Sequence, residues 1–440
     1  MAAASVERIV SVGPQADSVS LSEEVKHHSL WCRHVGRALE VLLHNAGYSM
    51  EAQRRSLGFF KNYVAPNLGQ SFMTDDGTPV ELSWDWGTTD NSQPTIRYSI
   101  EPIGFQAGSP LDPLNSMAVL VLQERLNRAL PNMNLEWFDY FTKYFNNPGE
   151  YNQACSASWI YALYFFIKEL LNNQKGRPEQ DVPDHNSSVF YGFDITETET
   201  TTKVYFFPKY RAAECGQSNL EILFQGIQNA PGCTEENLHA LSVFRNFSEN
   251  TGNQLLEYEM LAIDLIKPSE ARFKIYFRCR ETSFESLSNI MTLGGRTRTS
   301  KMERGLAELY SLWKLLFEVD ESDELAENNH RTAGMLYNVE FRLGDKSPVA
   351  KVYFPVRHYS RTDKLVIQGL DEYFKSRQRG RHMAAYSQAM NDLFGSELLM
   401  TQAGVQTYVG CAIRPEGVLR VVSYLKPPLS ERPITNMKGL

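Results

Sequence analysis

Two short segments, Lys203-Val-Tyr-Phe-Phe-Pro208 and Lys351-Val-Tyr-Phe-Pro355, nearly repeat each other. Both are rich in aromatic and β-branched residues, which favour strands, and both end at a proline, which disfavours a longer strand. The repeat indicates that one supersecondary unit recurs along the chain. About 150 residues separate the copies, which is too long for a solenoid period. A closed arrangement around a centre explains the repeat better than an open sheet.

Helical and strand-like patterns alternate around these segments. Apolar residues recur at helical spacing in residues 30–64 (as two helices), 116–130, 157–172, 235–247, 301–317 and 364–377. Further strand-like runs are residues 79–86, 95–101, 272–278 and 418–425. The polar stretch 173–188 is predicted to be a loop, and no linker divides the chain. We therefore expect one domain over residues 23–428, with flexible ends at 1–22 and 429–440.

The composition excludes several classes of protein. A formal net charge of -8 argues against a generally basic surface for nucleic acid. The six cysteines form no CxxC pair, so neither a zinc site nor a disulfide framework is indicated. The N-terminus has no apolar run of signal-peptide length, and no segment is apolar enough to span a membrane. We expect a soluble cytoplasmic protein.

The predicted strands carry cations and aromatic residues on one face, because alternate residues of a strand share a face. The alternative is a solvated sheet face, with lysines for solubility and tyrosines for β propensity. Three occurrences of the pattern, with Arg97 and Arg420 on two further strands, favour the lining of an interior. The residues that share such faces are Lys203, Tyr205 and Phe207; Arg272, Lys274, Tyr276 and Arg278; and Lys351 and Tyr353.

Cations inside a barrel would be unfavourable without a buried charge to balance them. The sequence indicates no such charge on these faces, so a bound polyanion is the expected partner. A prenyl diphosphate would supply it. Aromatic faces can stabilise an allylic carbocation and shield it from water, while lysine and arginine hold the departing diphosphate.

One predicted strand differs, since Pro79-Val-Glu-Leu-Ser-Trp-Asp-Trp86 carries carboxylates on one face. Glu81 is suited to hold an acceptor N–H or O–H and to remove a proton as the acceptor ring is alkylated. The alternative is a surface glutamate on an edge strand. Asp75 and Asp76 nearby do not form the DDxxD spacing that binds magnesium diphosphate in terpene synthases. The chemistry is therefore expected to need no metal.

In these residues and in the motifs around them, the chain resembles the fungal aromatic prenyltransferases of the dimethylallyltryptophan synthase type. The resemblance implies an α+β fold, the ABBA barrel of about ten antiparallel strands around a solvent-filled lumen, ringed by helices. It covers nearly the full length, from about Leu30 to Tyr424. The motifs that carry it are Thr74-Asp-Asp-Gly-Thr-Pro-Val-Glu81, Ile96-Arg-Tyr-Ser-Ile-Glu-Pro102, Lys203-Val-Tyr205, Arg272-Phe-Lys-Ile-Tyr276, Met291-Thr-Leu-Gly-Gly-Arg296 and Lys351-Val-Tyr353.

The resemblance also implies roles for individual residues. Glu81 would contact the acceptor and act as base. The diphosphate would be bound by Arg97, Lys203, Arg272, Lys274 and Lys351, and the carbocation would be shielded by Tyr205, Tyr276, Tyr353 and Tyr424. Further site candidates are Tyr408, Arg420, Phe207 and Met335. Phe207 replaces a second tyrosine that many members have at this position. Met335 would limit the length of the prenyl chain that the site accepts.

The implied activity is transfer of a dimethylallyl group to an indole-containing acceptor in secondary metabolism. A phenolic polyketide or xanthone acceptor is the alternative. A longer donor such as geranyl diphosphate, and a homodimer, remain open. A barrel that binds a small anionic ligand without chemistry would explain the cations, but not the glutamate opposed to them. An RNA-binding protein is disfavoured by the acidic composition.

Overall fold

The computed structural model describes residues 16–69, 77–104, 107, 112, 114–146, 187–252 and 254–428, with side chains from residue 28 onward. Within these residues, ten antiparallel strands form one closed barrel. Each strand pairs with its neighbours in the chain and the first pairs with the last, so the barrel has no open edge. The strands are β1 Val80–Asp85, β2 Thr95–Ile100, β3 Val189–Ile195, β4 Thr200–Phe206, β5 Leu256–Asp264, β6 Phe273–Cys279, β7 Met335–Phe341, β8 Val349–Phe354, β9 Gln406–Ile413 and β10 Leu419–Leu425.

Helices pack around the outside of the barrel. A π-helix, Phe60–Val64, continues α2. Among the helices that the structure describes, none is both long and apolar enough to cross a membrane. The helices are α1 Ala16–Asn45, α2 Met50–Phe59, α3 Ser116–Ala129, α4 Glu136–Asn146, α5 Lys209–Cys215, α6 Asn219–Gln228, α7 His239–Ser248, α8 Phe284–Met291, α9 Ser300–Phe317, α10 Val356–Tyr359, α11 Asp363–Ser376, α12 Met383–Phe394 and α13 Ser396–Thr401.

The outer faces of the strands form the main core with the helices. The ring of Phe273 on β6 stacks on Trp137 of α4 with centroids 4.1 Å apart. Phe206 on β4 lies 5.5 Å from Phe145 of the same helix. Burying one such ring contributes about 1.5–3 kcal/mol. This layer fixes each strand's parity, because residues that face the helices cannot also face the lumen.

Helix α9 shows how the outer layer is attached. It begins after Thr299, whose side-chain oxygen caps the first turn. Its apolar face includes Trp313, whose ring lies 5.4 Å from Phe354 of β8. A Cβ atom at Gly305 would lie 2.3 Å from Ile413 of β9, so only glycine lets the helix lie this close to the strand.

The closed ten-stranded barrel ringed by helices confirms the predicted fold class. Predicted strands at 79–86, 95–101, 203–207, 272–278, 351–354 and 418–425 match β1, β2, β4, β6, β8 and β10. Strands β3, β5, β7 and β9 were not among the predicted strand-like runs. The predicted helix at 157–172 lies outside the described residues, as do residues 1–15 and 429–440. Helix α1 begins at Ala16, within the segment expected to be a flexible end.

Candidate active site in the barrel lumen

A cluster of basic side chains lines one region of the lumen. It brings together the five cations predicted as diphosphate ligands, with Arg420. It also includes Arg414, which the sequence analysis did not single out. These residues, called the cation cluster below, are Arg97, Lys203, Arg272, Lys274, Lys351, Arg414 and Arg420.

Buried carboxylates lie among the cations, which corrects the expectation that no buried charge balances them. Asp194 on β3 forms ion pairs with Arg97 at 3.1 Å and with Lys203 at 2.5 Å. Asp85 on β1 forms ion pairs with Arg97 and Arg420, each at 2.5 Å. Arg97 is therefore held between two carboxylates, and its orientation is fixed before any ligand binds.

The other side of the lumen repeats this arrangement. Asp264 at the end of β5 accepts hydrogen bonds from Lys274 Nζ at 2.7 Å and from Arg272 Nε at 2.8 Å. Glu340 on β7 lies 3.4 Å from Arg272 and 4.0 Å from Arg414. The carboxylates that the sequence analysis missed on this side lie on β5 and β7, two of the strands that were not predicted.

The balance of charge still favours an anion. Among the residues that the structure describes, the seven cations of the cluster face four carboxylates, Asp85, Asp194, Asp264 and Glu340. Burial alone would raise the pKa of Asp85, but Arg97 and Arg420 outweigh it and lower that pKa to about 2. The pKa values of Asp194 and Asp264 are also lowered, because their basic partners outweigh burial. The carboxylates therefore stay ionised and hold the cations in place, while an excess of positive charge remains.

Lys351 differs from its neighbours in the cation cluster. It forms no ion pair among the described residues. Its Nζ instead donates to Tyr424 Oη at 3.1 Å and lies 4.4 Å from the ring centroid of Tyr353. Burial, and then the positive charges of Arg97 and Arg420, lower the pKa of Lys351 to about 7. Near neutral pH this lysine can therefore gain or lose its proton.

An arc of tyrosines lies beside the cation cluster. Ring centroids are 5.9 Å apart for Tyr205 and Tyr276, 6.0 Å for Tyr276 and Tyr353, and 5.5 Å for Tyr353 and Tyr424. Tyr408 touches the arc edge-on at 6.3 Å from Tyr353. All five were named from the sequence. The structure brings them together as one continuous aromatic wall from β4 round to β10.

Two glycines in the strands leave room for the tyrosine rings of this wall. A Cβ atom at Gly410 on β9 would lie 3.0 Å from the ring of Tyr424 and 3.2 Å from the side chain of Lys351. One at Gly192 on β3 would lie 3.2 Å from the ring of Tyr205. Glycine inside a strand is otherwise unfavourable, and it commonly marks a close approach of this kind.

Glu81 lies on the lumen face of β1, four residues before Asp85 and therefore about 13 Å away along the strand. Thr407 Oγ1 donates a hydrogen bond to Glu81 Oε1 at 2.7 Å. Burial raises the pKa of Glu81 to about 7, although the bond from Thr407 and the charge of Arg357 act to lower it. A carboxylate with this pKa is suited to accept a proton near neutral pH.

A β-bulge turns Thr407 toward Glu81. On the β9–β10 ladder, Tyr408 pairs with Tyr424 and Gln406 pairs with Leu425, so Thr407 is an additional residue on β9. Without the bulge, strict alternation would turn Thr407 toward the helices, since Tyr408 faces the lumen. Sequence periodicity gives no sign of this change.

A second β-bulge, on β5, changes the direction in which Glu259 points. Tyr258 and Met260 pair with successive residues of β6, so Glu259 is the additional residue. Its carboxylate accepts a hydrogen bond from Arg278 Nε at 2.7 Å, and Arg278 Nη1 donates to the backbone oxygen of Thr332 at 3.0 Å. Arg278, predicted to share the inner face of β6, is therefore occupied by protein partners.

Met335 does not lie where the sequence analysis expected. Met335 is fully buried in the core between strands and helices, whereas the next residue, Leu336, packs in the lumen with Tyr276 and Tyr353. This corrects the proposal that Met335 limits the donor, because its side chain faces away from the lumen. Phe207 packs edge-on against Phe190 at 4.8 Å, and Phe190 is the ladder partner of Tyr205. Phe207 is not among the residues that line the cavity of the cation cluster.

Asn338 is a further residue of the site that the sequence analysis missed, since it lies on β7 between Tyr276 and Lys351. The polar atoms of the lumen are thus more varied than cations and tyrosines. Among the residues that the structure describes, no group of three or more histidine, cysteine, aspartate or glutamate side chains could hold a metal ion.

The sequence matches a family model described as tryptophan dimethylallyltransferase over residues 27–389. It is 32% identical over 420 residues to the 4-O-dimethylallyl-L-tyrosine synthase of Claviceps purpurea, covering 91% of this chain and 88% of that one. It is 30% identical over 418 residues to the 7-dimethylallyltryptophan synthase of Aspergillus fumigatus, covering 90% and 84%.

Solved structures share the fold. The crystal structure of AnaPT from Neosartorya fischeri superposes with a TM-score of 0.72 at 23% identity, over 91% of this chain and 94% of that one. NotF in complex with brevianamide F and DMSPP gives a TM-score of 0.74 at 21% identity, over 92% and 96%. The chain therefore belongs to the tryptophan dimethylallyltransferase family, and it is a prenyltransferase built on the closed ABBA barrel.

Proposed function

We propose that the protein transfers a dimethylallyl group from dimethylallyl diphosphate to an aromatic acceptor without a metal ion. One observation carries the proposal. A single lumen holds a cation cluster, an aromatic wall and a buried glutamate, Glu81, which is about 13 Å along β1 from Asp85. This order matches the donor's diphosphate, its allylic carbon and the acceptor.

The cation cluster receives the diphosphate. Its side chains are already held by carboxylates, so little reorganisation accompanies binding. As the bond between the allylic C1 and oxygen breaks, its electron pair leaves with the diphosphate. The cations stabilise that growing negative charge, which is the task that magnesium performs in other prenyl-transferring enzymes.

The aromatic wall accommodates the allylic cation. The rings of Tyr276 and Tyr353 belong to a group that packs together and is closed to water on the helix side by the outer core. Aromatic faces attract a cation, and exclusion of water prevents its capture as an alcohol.

Glu81 completes the reaction on the acceptor. The aromatic π electrons, or a phenolic oxygen lone pair, form the new bond to the allylic carbon. The proton released from the acceptor passes to the Glu81 carboxylate and later to solvent. Because its pKa is about 7, Glu81 can both accept and release this proton near neutral pH.

An indole-containing acceptor, such as tryptophan, a cyclic dipeptide or an indole alkaloid, is our first candidate. A phenolic acceptor is the second, and two relatives favour it, since they are named 4-O-dimethylallyl-L-tyrosine synthase and xanthone prenyltransferase B. Geranyl diphosphate is a further candidate donor. We also propose a cytoplasmic location, which fits the absence of a disulfide among the cysteines that the structure describes.

The test is transfer from dimethylallyl diphosphate to a panel of tryptophan, tyrosine, a tryptophan-containing cyclic dipeptide and a xanthone, with excess EDTA. We expect at least one prenylated product with EDTA present. Glu81→Gln should remove most turnover and keep donor binding, whereas Glu416→Gln, on an exposed turn, should change neither. Activity that returns only when magnesium is added, or full turnover by Glu81→Gln with every acceptor, would contradict the proposal.

A further inference from the structure

Asn338 lies at the centre of the aromatic wall. On β7 it pairs laterally with Tyr276 of β6 and with Lys351 of β8. Its Nδ2 donates to Tyr353 Oη at 2.9 Å. Tyr353 Oη in turn donates to Tyr276 Oη at 3.4 Å. The amide nitrogen of Asn338 is thus bonded to a hydroxyl group of the wall.

The amide oxygen of Asn338 has no such commitment. The residue is 1% exposed, and Oδ1 has no hydrogen-bond partner among the residues that the structure describes. A buried carbonyl oxygen without a partner is uncommon in folded proteins and is destabilising. Its partial negative charge is therefore left for a ligand in the lumen to compensate.

The position of Asn338 limits which part of a ligand that can be. Side chains on the lumen face stand roughly perpendicular to the strand, so the amide projects into the barrel interior at the level of the tyrosine rings. The next inward-facing residue on β7 is Glu340, at the cation cluster, and the previous one is Leu336. The amide therefore lies between the diphosphate region and the apolar end of the wall, where the allylic carbons would be.

We infer that Asn338 is a catalytic residue whose amide oxygen stabilises the positive charge of the allylic cation; this rests on the proposed function. The oxygen carries a partial negative charge, and its attraction grows as the C1–O bond breaks, so it favours the transition state over the bound donor. A neutral amide also leaves the charge of neighbouring Lys351 intact. A carboxylate at this position would cancel that charge and could capture the cation.

The competing explanation is that Asn338 only positions the tyrosines through Nδ2. Two experiments separate the roles. The first compares Asn338→Leu in the native sequence with the same change in a Tyr276→Phe/Tyr353→Phe background, where no wall hydroxyl is left for Nδ2 to hold. We expect kcat to fall about 100-fold in both backgrounds, the size found when one preorganised polar group is removed from a transition state, with donor KM nearly unchanged. An effect that disappears in the double-phenylalanine background would reduce Asn338 to a positioning residue and overturn the inference.

The second experiment needs no turnover, so it also distinguishes this inference from the proposed function. Calorimetry would measure the affinity of a trialkylammonium analogue of the allylic cation, with inorganic diphosphate present, against its uncharged hydrocarbon isostere. Asn338→Leu should weaken the ammonium analogue about tenfold or more and leave the isostere unchanged. Equal effects on both ligands would overturn the inference. Asn338→Val replaces the leucine variant if circular dichroism shows that the latter does not fold.

Discussion

Thr407→Val tests whether the bulge on β9 tunes the proposed base. Valine keeps the shape of threonine but removes the hydroxyl that donates to Glu81 Oε1 at 2.7 Å. Arg357 would still act to lower the pKa of Glu81, and the hydroxyls of Tyr408 and Tyr424 would remain nearby. The change therefore removes one donor and leaves the other polar neighbours in place.

The size of the effect follows from the strength of that bond. A hydrogen bond to a charged group contributes about 1.5–3 kcal/mol, and one pKa unit corresponds to about 1.4 kcal/mol. Losing the bond disfavours the carboxylate, so the pKa of Glu81 should rise from about 7 by roughly one to two units. At pH 7 the ionised fraction then falls from about one half to roughly 1–10%, which lowers turnover about 5- to 50-fold. Activity should recover as the pH is raised through the new pKa.

The assay is the pH dependence of kcat/KM, which reports the essential base in the free enzyme. The acid limb should lie near pH 7 in the native protein and at higher pH in Thr407→Val, while Thr407→Ser should restore its position. Thr292→Val, which removes a buried hydroxyl bonded to the Ser288 carbonyl of α8, is the matched control. An acid limb that stays in place in Thr407→Val, at reduced or full activity, would refute the reasoning.

Three further predictions concern the donor side. Binding of dimethylallyl diphosphate should be accompanied by proton uptake above pH 7, and its affinity should fall as the pH rises. The reason is that a bound anion favours the charged form of Lys351, whose pKa is about 7 in the empty barrel. Calorimetry in buffers of different ionisation enthalpy measures the number of protons taken up. Leu336→Gly should raise the kcat/KM ratio of geranyl to dimethylallyl diphosphate, whereas Met335→Gly should lower the melting temperature and leave that ratio unchanged. Gly410→Ala should reduce donor affinity roughly tenfold or more by displacing the lysine and tyrosine beside it, while Gly58→Ala, with open space around it, should not.

The sequence was most informative where the strand period of two coincided with chemically distinctive residues. Lys203 with Tyr205, and Lys351 with Tyr353, define which face of their strands is inward, and the barrel confirms it. For Met335 no such pair is present, so the parity of β7 could not be read from its own residues. It is set by the ladder, in which Leu336 lies opposite Tyr353.

Two other features depend on the ladder as well. A bulge adds one residue and reverses the face of a side chain, so Thr407 and Glu259 are inward for a reason that no periodic pattern contains. The carboxylates Asp194 and Asp264 lie at positions where a single sequence cannot show that a basic partner is on the neighbouring strand. With these carboxylates, the lumen contains a network of ion pairs with an excess of positive charge, where the sequence had predicted cations without partners.

The pairing of β1 with β10 has a consequence for how the protein is made. It joins Asp85 to Arg420, which are 335 residues apart in the chain, and the closing strand also carries Tyr424. Contacts this distant in sequence form slowly. Until they form, the strands made earlier have unpaired edges through which chains can aggregate. The binding site does not exist until the last strand docks. A diphosphate that binds only the closed barrel would stabilise the folded state by mass action during refolding. The substrate would thereby increase the fraction of chains that fold.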